Sequence, residues 1–348
     1  MARVSLKDGG SGPMPAETAK RLKTQQADAG ANGGRDVSIS VILPAYNAEG
    51  FVARAIRSAL DQTLAPLEVI VVDDASSDNT ADAVLRIAAE EPRIRLLRLN
   101  QNSGPGPARN RGLDAARGDW VAMLDADDVF GPERLKALAS LAGENDADIV
   151  ADNLYAYDFA AGQTQRTAFV SAPPGAIDTH AFVERCSGAS SADMDWGLLH
   201  PMVRTQFLRD SGVRYPKLRH AEDFAFMLDL LLAGARFFVT PAPHYFYTTR
   251  HGQISGQPST MSRTKIDYDG MRRWTERIVE DPRVRDDARL VRLLKERARG
   301  IAKASAWHKV YAYGRNRDYA GLALFAATNR FAAQALAGAL RNKIAKRL

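Results

Sequence analysis

Three carboxylates fall within four positions at Asp125, Asp127 and Asp128, in the stretch DWVAMLDADDVFGP that runs from residue 119 to residue 132. They follow directly on an apolar, strand-like run from Trp120 to Leu124. Like charges this close repel one another, and burying even one is costly unless it is paired. A hard divalent cation would offset that cost. Mg²⁺ or Mn²⁺ takes oxygen ligands, and beside a diphosphate it needs only one or two protein carboxylates. In Asp-x-Asp the two side chains can turn toward one ion where a strand gives way to a turn. A solvated acidic turn capping a helix at Pro132 would look the same in isolation, so the surrounding elements decide between the two.

Those elements begin at Val37. VSISVILP is β-branched and apolar almost throughout, as expected of a strand buried on both faces. After YNAEG, the residues Val52, Ala55, Ile56, Ala59 and Leu60 recur at helical spacing. EVIVV is a second buried strand and ends in DDASSDNT, before a helix with Ala81, Val84, Leu85 and Ala88 on one face. IRLLRL, a QNSGPGP loop and ARNRGLDAA repeat the cycle; DWVAML, PERLKALASLA and DADIVADN repeat it again. This alternation predicts an α/β fold around a mostly parallel sheet flanked by helices. In such a sheet ligands bind beyond the carboxyl ends of the strands. PAYN after the first strand, DDASSD after the second and DADD after the fourth would all gather on that one edge.

The 348 residues suit one large domain with an appendage. An apolar fraction of 45% and a charged fraction of 25% are those of an ordinary globular protein with a sizeable core. A single cysteine, Cys186, excludes an intrachain disulfide and fits a reducing compartment. No apolar run approaches the roughly 18–20 residues that span a bilayer, and no signal-peptide pattern follows the N-terminus. The expected location is cytoplasmic, with a peripheral place on the inner face of the plasma membrane open. Residues 1–36 read as disordered, residues 37–260 as the main domain, and residues 261–348 as a helical C-terminal region with a basic amphipathic end. There Leu322, Phe325, Ala332, Leu336 and Leu340 recur at helical spacing before RNKIAKRL. Such a helix either lies on an anionic membrane surface or packs on the main domain with a solvated basic end.

SVILPAYNAE, EVIVVDDASSDNT, GPGPARNRGL and DWVAMLDADD, in that order, resemble the family 2 glycosyltransferases, closely over residues 37–130 and more loosely to 260. Within that family the chain is most similar to bacterial exopolysaccharide glycosyltransferases of the succinoglycan type. The resemblance implies the GT-A fold and an inverting transfer from a nucleotide sugar, a UDP-sugar by expectation, to a hydroxyl of a saccharide or lipid-linked saccharide acceptor. It implies that Pro44, Tyr46 and Asn47 hold the nucleotide, with the tyrosine ring against the base, and that Asp74 reads the uracil N3–H. Arg109 and Asn110 match the segment beside the nucleotide. Asp125 would contact ribose and Asp127 the Mn²⁺ or Mg²⁺ ion, with His251 in the loop YTTRHGQIS completing the metal shell. Asp128 either helps through water or caps the following helix.

An inverting transfer also needs a carboxylate to take the acceptor proton. The family keeps it in an ED pair, which HAEDFAFMLDLL matches with Asp223 as base and Glu222 as a supporting or acceptor-contacting group. Arg250 or His251 could neutralise the leaving diphosphate. Trp196 and His200 lie where acceptor contacts are often found, although a core tryptophan and a satisfied core histidine are the plainer reading.

A sugar-phosphate nucleotidyltransferase would want a basic residue in a glycine-rich loop after the first strand, and PAYNAEG has none; a dehydrogenase would want GxGxxG there. A non-catalytic nucleotide-sugar-binding protein would have no need of intact DADD and ED. Nucleic-acid binding is disfavoured because DADD repels phosphate when no metal is bound.

Overall fold

The computed structural model describes residues 37–158, 162–170, 174–186, 194–248 and 266–345. The segment 1–36 and the loop carrying Arg250 and His251 lie outside these residues. In chain order the strands are β1 (Ile39–Ala45), β2 (Glu68–Asp73), β3 (Ile94–Arg98), β4 (Trp120–Met123), β5 (Val129–Phe130), β6 (Ile149–Asp158), β7 (Gln163–Thr167), β8 (Gly175–Ala176), β9 (Met202–Arg204) and β10 (Phe237–Thr248). The helices are α1 (Val52–Leu60), α2 (Thr80–Ala88), α3 (Pro105–Ala115), α4 (Arg134–Glu144), α5 (Thr179–Arg185), α6 (Thr205–Ser211), α7 (Glu222–Leu232), α8 (Tyr268–Ile278), α9 (Ala288–Arg315), α10 (Tyr319–Thr328) and α11 (Arg330–Ala345). A 3₁₀ turn covers Trp196–Leu198.

One sheet runs in the order β3-β2-β1-β4-β9-β6-β10-β5, with β7 added to β6 and β8 to β10. β3, β2, β1 and β4 are mutually parallel. Their apolar runs are buried on both faces: Val41, Ile42, Leu43 and Val69 to Val72 are fully inaccessible. Each such side chain contributes roughly 1.5–3 kcal/mol of burial. The other half of the sheet keeps this direction in β6 and β10 and admits antiparallel strands at β9 and β5, so the sheet is mostly parallel as expected. β9 pairs antiparallel with both β4 and β6, while β6 and β10 are parallel to one another. A three-residue strand carries too little pattern to be read from sequence, and it is this strand that joins the two halves.

Helix α1 buries Val52, Ala55, Ile56 and Ala59 as the spacing predicts, whereas Leu85 of α2 is 52% exposed. Helix α3 lies directly on β1. A Cβ at Gly112 would sit 2.4 Å from Ile42 Cγ2, so only glycine permits that approach.

The main core does not stop at residue 260. Ile278, Val284, Leu290 and Leu294 belong to the same buried cluster as β1 and β2. Beyond them Ala306, Val310, Leu322, Ala332 and Ala335 form a small separate core. Phe325 and Leu336 pack against it. The apolar face read from sequence is therefore spent inside the protein, on α9; the side chain of Leu340 lies outside the described residues. The terminal stretch is two helices instead of one. The break is at Asn329, whose Oδ1 accepts the backbone N–H groups of Phe331 and Ala332 and caps α11.

Candidate active site

The carboxyl ends of β1, β2 and β4 open into one cavity, lined by Pro44, Tyr46 and Asn47 from the first, Asp74 from the second, and Asp125 and Asp127 from the fourth. Arg109 of α3 and Glu222 and Asp223 of α7 close its other wall. Backbone strain is concentrated at this edge. Asn47, Ala75 and Ala221 are non-glycine residues with φ of 49°, 58° and 62°, a left-handed conformation that costs energy and persists where surrounding contacts enforce it. Asn47 shows how: its N–H donates to Ser76 Oγ and its Oδ1 accepts from Ser77 N, tying the β1 loop to the β2 loop.

Asp74 lies on the cavity just beyond the carboxyl end of β2. It accepts hydrogen bonds from the backbone N–H of Ser103 and Gly104, both at 2.8 Å, and from Asn102 at 3.0 Å. Gly104, with φ of 93°, supplies the left-handed turn that aims its N–H there. Burial raises the Asp74 pKa, and the two backbone donors pull against it.

The centre of the site is Arg109, which is almost fully buried. Its Nη2 donates to Asp125 Oδ1 at 2.7 Å and its Nη1 to Glu222 Oε1 at 2.9 Å, with Asp223 Oδ1 at 3.3 Å. One guanidinium thus joins the end of β4 to the start of α7, the latter 113 residues from Arg109 itself. This revises the role expected of Arg109, because its terminal nitrogens are turned to these acids and not held out to a ligand. Asn110 is revised more fully. Both ends of its amide bond the backbone of Tyr215, at 2.8 and 2.9 Å, which uses it to fasten α3 to the loop before α7 and takes it out of the cavity lining.

Two carboxyls of the cluster are driven in opposite directions. Burial works to raise Asp125, but Arg109 and His200 hold it below the ordinary carboxylate range. Burial raises Asp128 well above that range, reinforced by the charges of Asp127 and Asp125. Asp128 is neither a helix cap nor exposed: Tyr245 Oη donates to it at 2.7 Å and Thr248 N at 2.7 Å. Asp127 lies on the cavity, and its backbone carbonyl is clamped by Arg54 at 2.6 Å and by the Thr248 hydroxyl.

His200 was the residue sequence reasoning undervalued. Its Nε2 lies 3.2 Å from Asp125 Oδ2, and its ring stacks on Tyr245 with centroids 4.2 Å apart. Under it, Arg134 packs against the faces of Phe130 and Tyr245, pairs with Asp152 at 2.8 Å, and donates to the His200 carbonyl. The missed signal was HPMVR, a histidine two residues before the short strand β9. Trp196 is a core residue with no exposed surface, and His220 is buried with Nδ1 accepting from Asp267 N.

Asp125, Asp128 and His200 each bring one ligand atom within 4.8 Å of the others, and hard oxygens with an imidazole suit Mn²⁺ or Mg²⁺. The cavity also carries five carboxylates against two guanidiniums, Arg109 and Arg219. The donor set therefore fits a divalent cation, and the charge balance favours one wherever a diphosphate is to bind. The ligands expected from sequence, Asp127 and His251, are placed on the cavity and outside the described residues, respectively.

Residues 40–200 match the family model for glycosyl transferase family 2. The chain is 35% identical over 226 residues to the succinoglycan biosynthesis protein ExoO of Rhizobium meliloti, covering 62% of each. It is 33% identical over 232 residues to the succinoglycan biosynthesis protein ExoU of the same organism, covering 66% of this chain and 67% of that one. The chain belongs to glycosyl transferase family 2. Its fold is the GT-A arrangement. The crystal structure of S. aureus TarS 1-349 in complex with UDP-GlcNAc superposes with a TM-score of 0.58 and 25% identity, over 74% of this chain and 72% of that one. The family 2 match takes in the β1, β2 and β4 loops and His200 but ends before Glu222 and Asp223. In this chain Arg109 is what ties that acidic pair to the matched region.

Proposed function

We propose that the chain is an inverting, metal-dependent glycosyltransferase that moves a sugar from a UDP-sugar to a hydroxyl of a saccharide acceptor, lipid-linked, in the assembly of an exopolysaccharide or other cell-surface polysaccharide. The observation that carries this reading is the Arg109 bridge, which sets a nucleotide-side carboxylate, Asp125, and a second acidic pair, Glu222 and Asp223, across one cavity. The succinoglycan proteins and the UDP-GlcNAc complex named above support the polysaccharide and the uridine parts.

On this reading Tyr46 and Asp74 receive the base, and binding energy from the nucleotide end orients the anomeric carbon toward α7. Asp127, with Asp125, Asp128 and His200 behind it, would hold the cation, which when bound supplies positive charge to the departing diphosphate. Asp223 takes the acceptor proton. Burial lifts its pKa well above the ordinary range despite Arg109, and the charges of Glu222 and Asp125 add to the lift. A carboxylate made more basic in this way is a better proton acceptor once it is ionised. Glu222, inside the wall and bonded to Arg109, keeps the guanidinium in place between the two acids.

The test is turnover of a panel of UDP-sugars with saccharide acceptors by the native chain and by Asp223→Asn. The variant should bind UDP as the native chain does and lose roughly a hundredfold or more in kcat. Native-like turnover by Asp223→Asn would remove Asp223 as the base. Absence of turnover by the native chain with every nucleotide sugar, alongside intact UDP binding, would favour a binding protein.

A further inference from the structure

The charge of this protein is divided sharply along its length. From residue 303 to the end there are nine Lys and Arg against one acid, Asp318, whereas residues 1–302 carry a net charge of −2. The division coincides with the structure, because the small second core begins at Ala306. Its apolar face is already covered by α10 and α11. What is left uncovered is a different surface, on α9. Trp307 is 40% exposed and Tyr311 69%, one helical turn apart, and exposed Lys303 and Arg315 stand one turn before and after them. On the adjacent α10, Tyr319 and Leu324 are 67% and 69% exposed. Trp120 and Trp196, in the main domain, are buried.

We propose that the Lys303–Trp307–Tyr311–Arg315 stripe of α9 is a docking surface for an anionic lipid bilayer. Amphipathic aromatic rings settle at the level of lipid headgroups, and flanking cations meet the negative surface within a Debye length. A second copy of this chain is the poorer occupant, since pairing the face with itself would set one basic surface against another. None of the lining residues of the main-domain cavity belongs to α9 or α10. The reading above gives the contact its purpose, a lipid-linked acceptor, but the observations lie wholly outside the cavity.

The full chain is mixed with phosphatidylcholine vesicles, with and without phosphatidylglycerol, and followed by sedimentation and tryptophan emission. It should bind the anionic vesicles preferentially and less at high salt. Its emission should shift to the blue and be quenched by brominated lipid chains. Trp307→Phe should keep binding but lose most of the quenching. Lys303→Gln with Arg315→Gln should weaken binding roughly tenfold or more, as should Trp307→Ser with Tyr311→Ser. No preference for anionic vesicles, native-like binding by both double variants, or self-association through this face in place of vesicle binding would each overturn the proposal. UDP titrations run on the same samples separate the two readings. Vesicle binding without UDP binding leaves this proposal standing and removes the transferase one, and the reverse result does the opposite.

Discussion

At the scale of single residues, the site is governed by how few cations share so many acids. Arg109 has three carboxylates around it and Asp128 has two acidic neighbours. The consequence is a pH dependence with a definite sign. Asp223 is raised by burial and must be ionised to accept a proton, so kcat/KM should climb with pH through an apparent pKa above the ordinary carboxylate range. Asp223→Glu should move that limb, and a profile flat from pH 4 upward would contradict the assignment. The acids themselves were legible in the sequence, because DADD and ED each stand at an element boundary where their cost demands an explanation. His200 was not. Its role depends on lying beside Asp125, a neighbour 75 positions away, and a lone histidine carries no mark of that contact. Asn110 erred in the other direction: it sits next to Arg109 in sequence, but on a helix adjacent residues point different ways.

At the scale of elements, the parallel half of the sheet was readable because each βα unit repeats the same pattern of a buried run, a polar loop and an amphipathic helix. The mixed half was not, since β5, β8 and β9 have only two or three residues each. Precision at the site depends on how closely α3, which carries Arg109, can lie on β1. Gly112→Ala should therefore destabilise the protein by about 1–3 kcal/mol through overpacking against Ile42, and should lower turnover by displacing Arg109. Gly143→Ala, on the exposed side of α4 with no atom within 4 Å of its Cβ position, is the control. It should be neutral or mildly stabilising, by up to about 1 kcal/mol. Thermal unfolding of the two variants checks both; equal midpoints would mean that α3 shifts freely and does not fix the guanidinium.

At the scale of the whole molecule, the helical region that sequence set apart at residue 260 has two characters. Its first part completes the main core through Ile278, Val284, Leu290 and Leu294. Arg297 then reaches back to bond Asp195 at 3.0 Å and packs over Phe224, the residue after Asp223. Only the part beyond residue 303 has the basic, aromatic surface of an appendage. Composition shows the charge shift, but which apolar side chains turn inward is settled only by the packing of three helices, and so sequence left that face open between a membrane surface and packing within the protein. Among the described residues no helix is long and apolar enough to cross a membrane. The docking surface stands apart from the cavity, whose reading depends on one central claim, a metal-assisted site for a nucleoside diphosphate. Calorimetric titration of UDP into the native chain and into Asp127→Ala, with Mn²⁺ present and absent, tests it most directly. The native chain should bind UDP only with Mn²⁺ present and Asp127→Ala should not bind it; UDP binding of equal strength with and without the metal, or none under either condition, would rule out such a site.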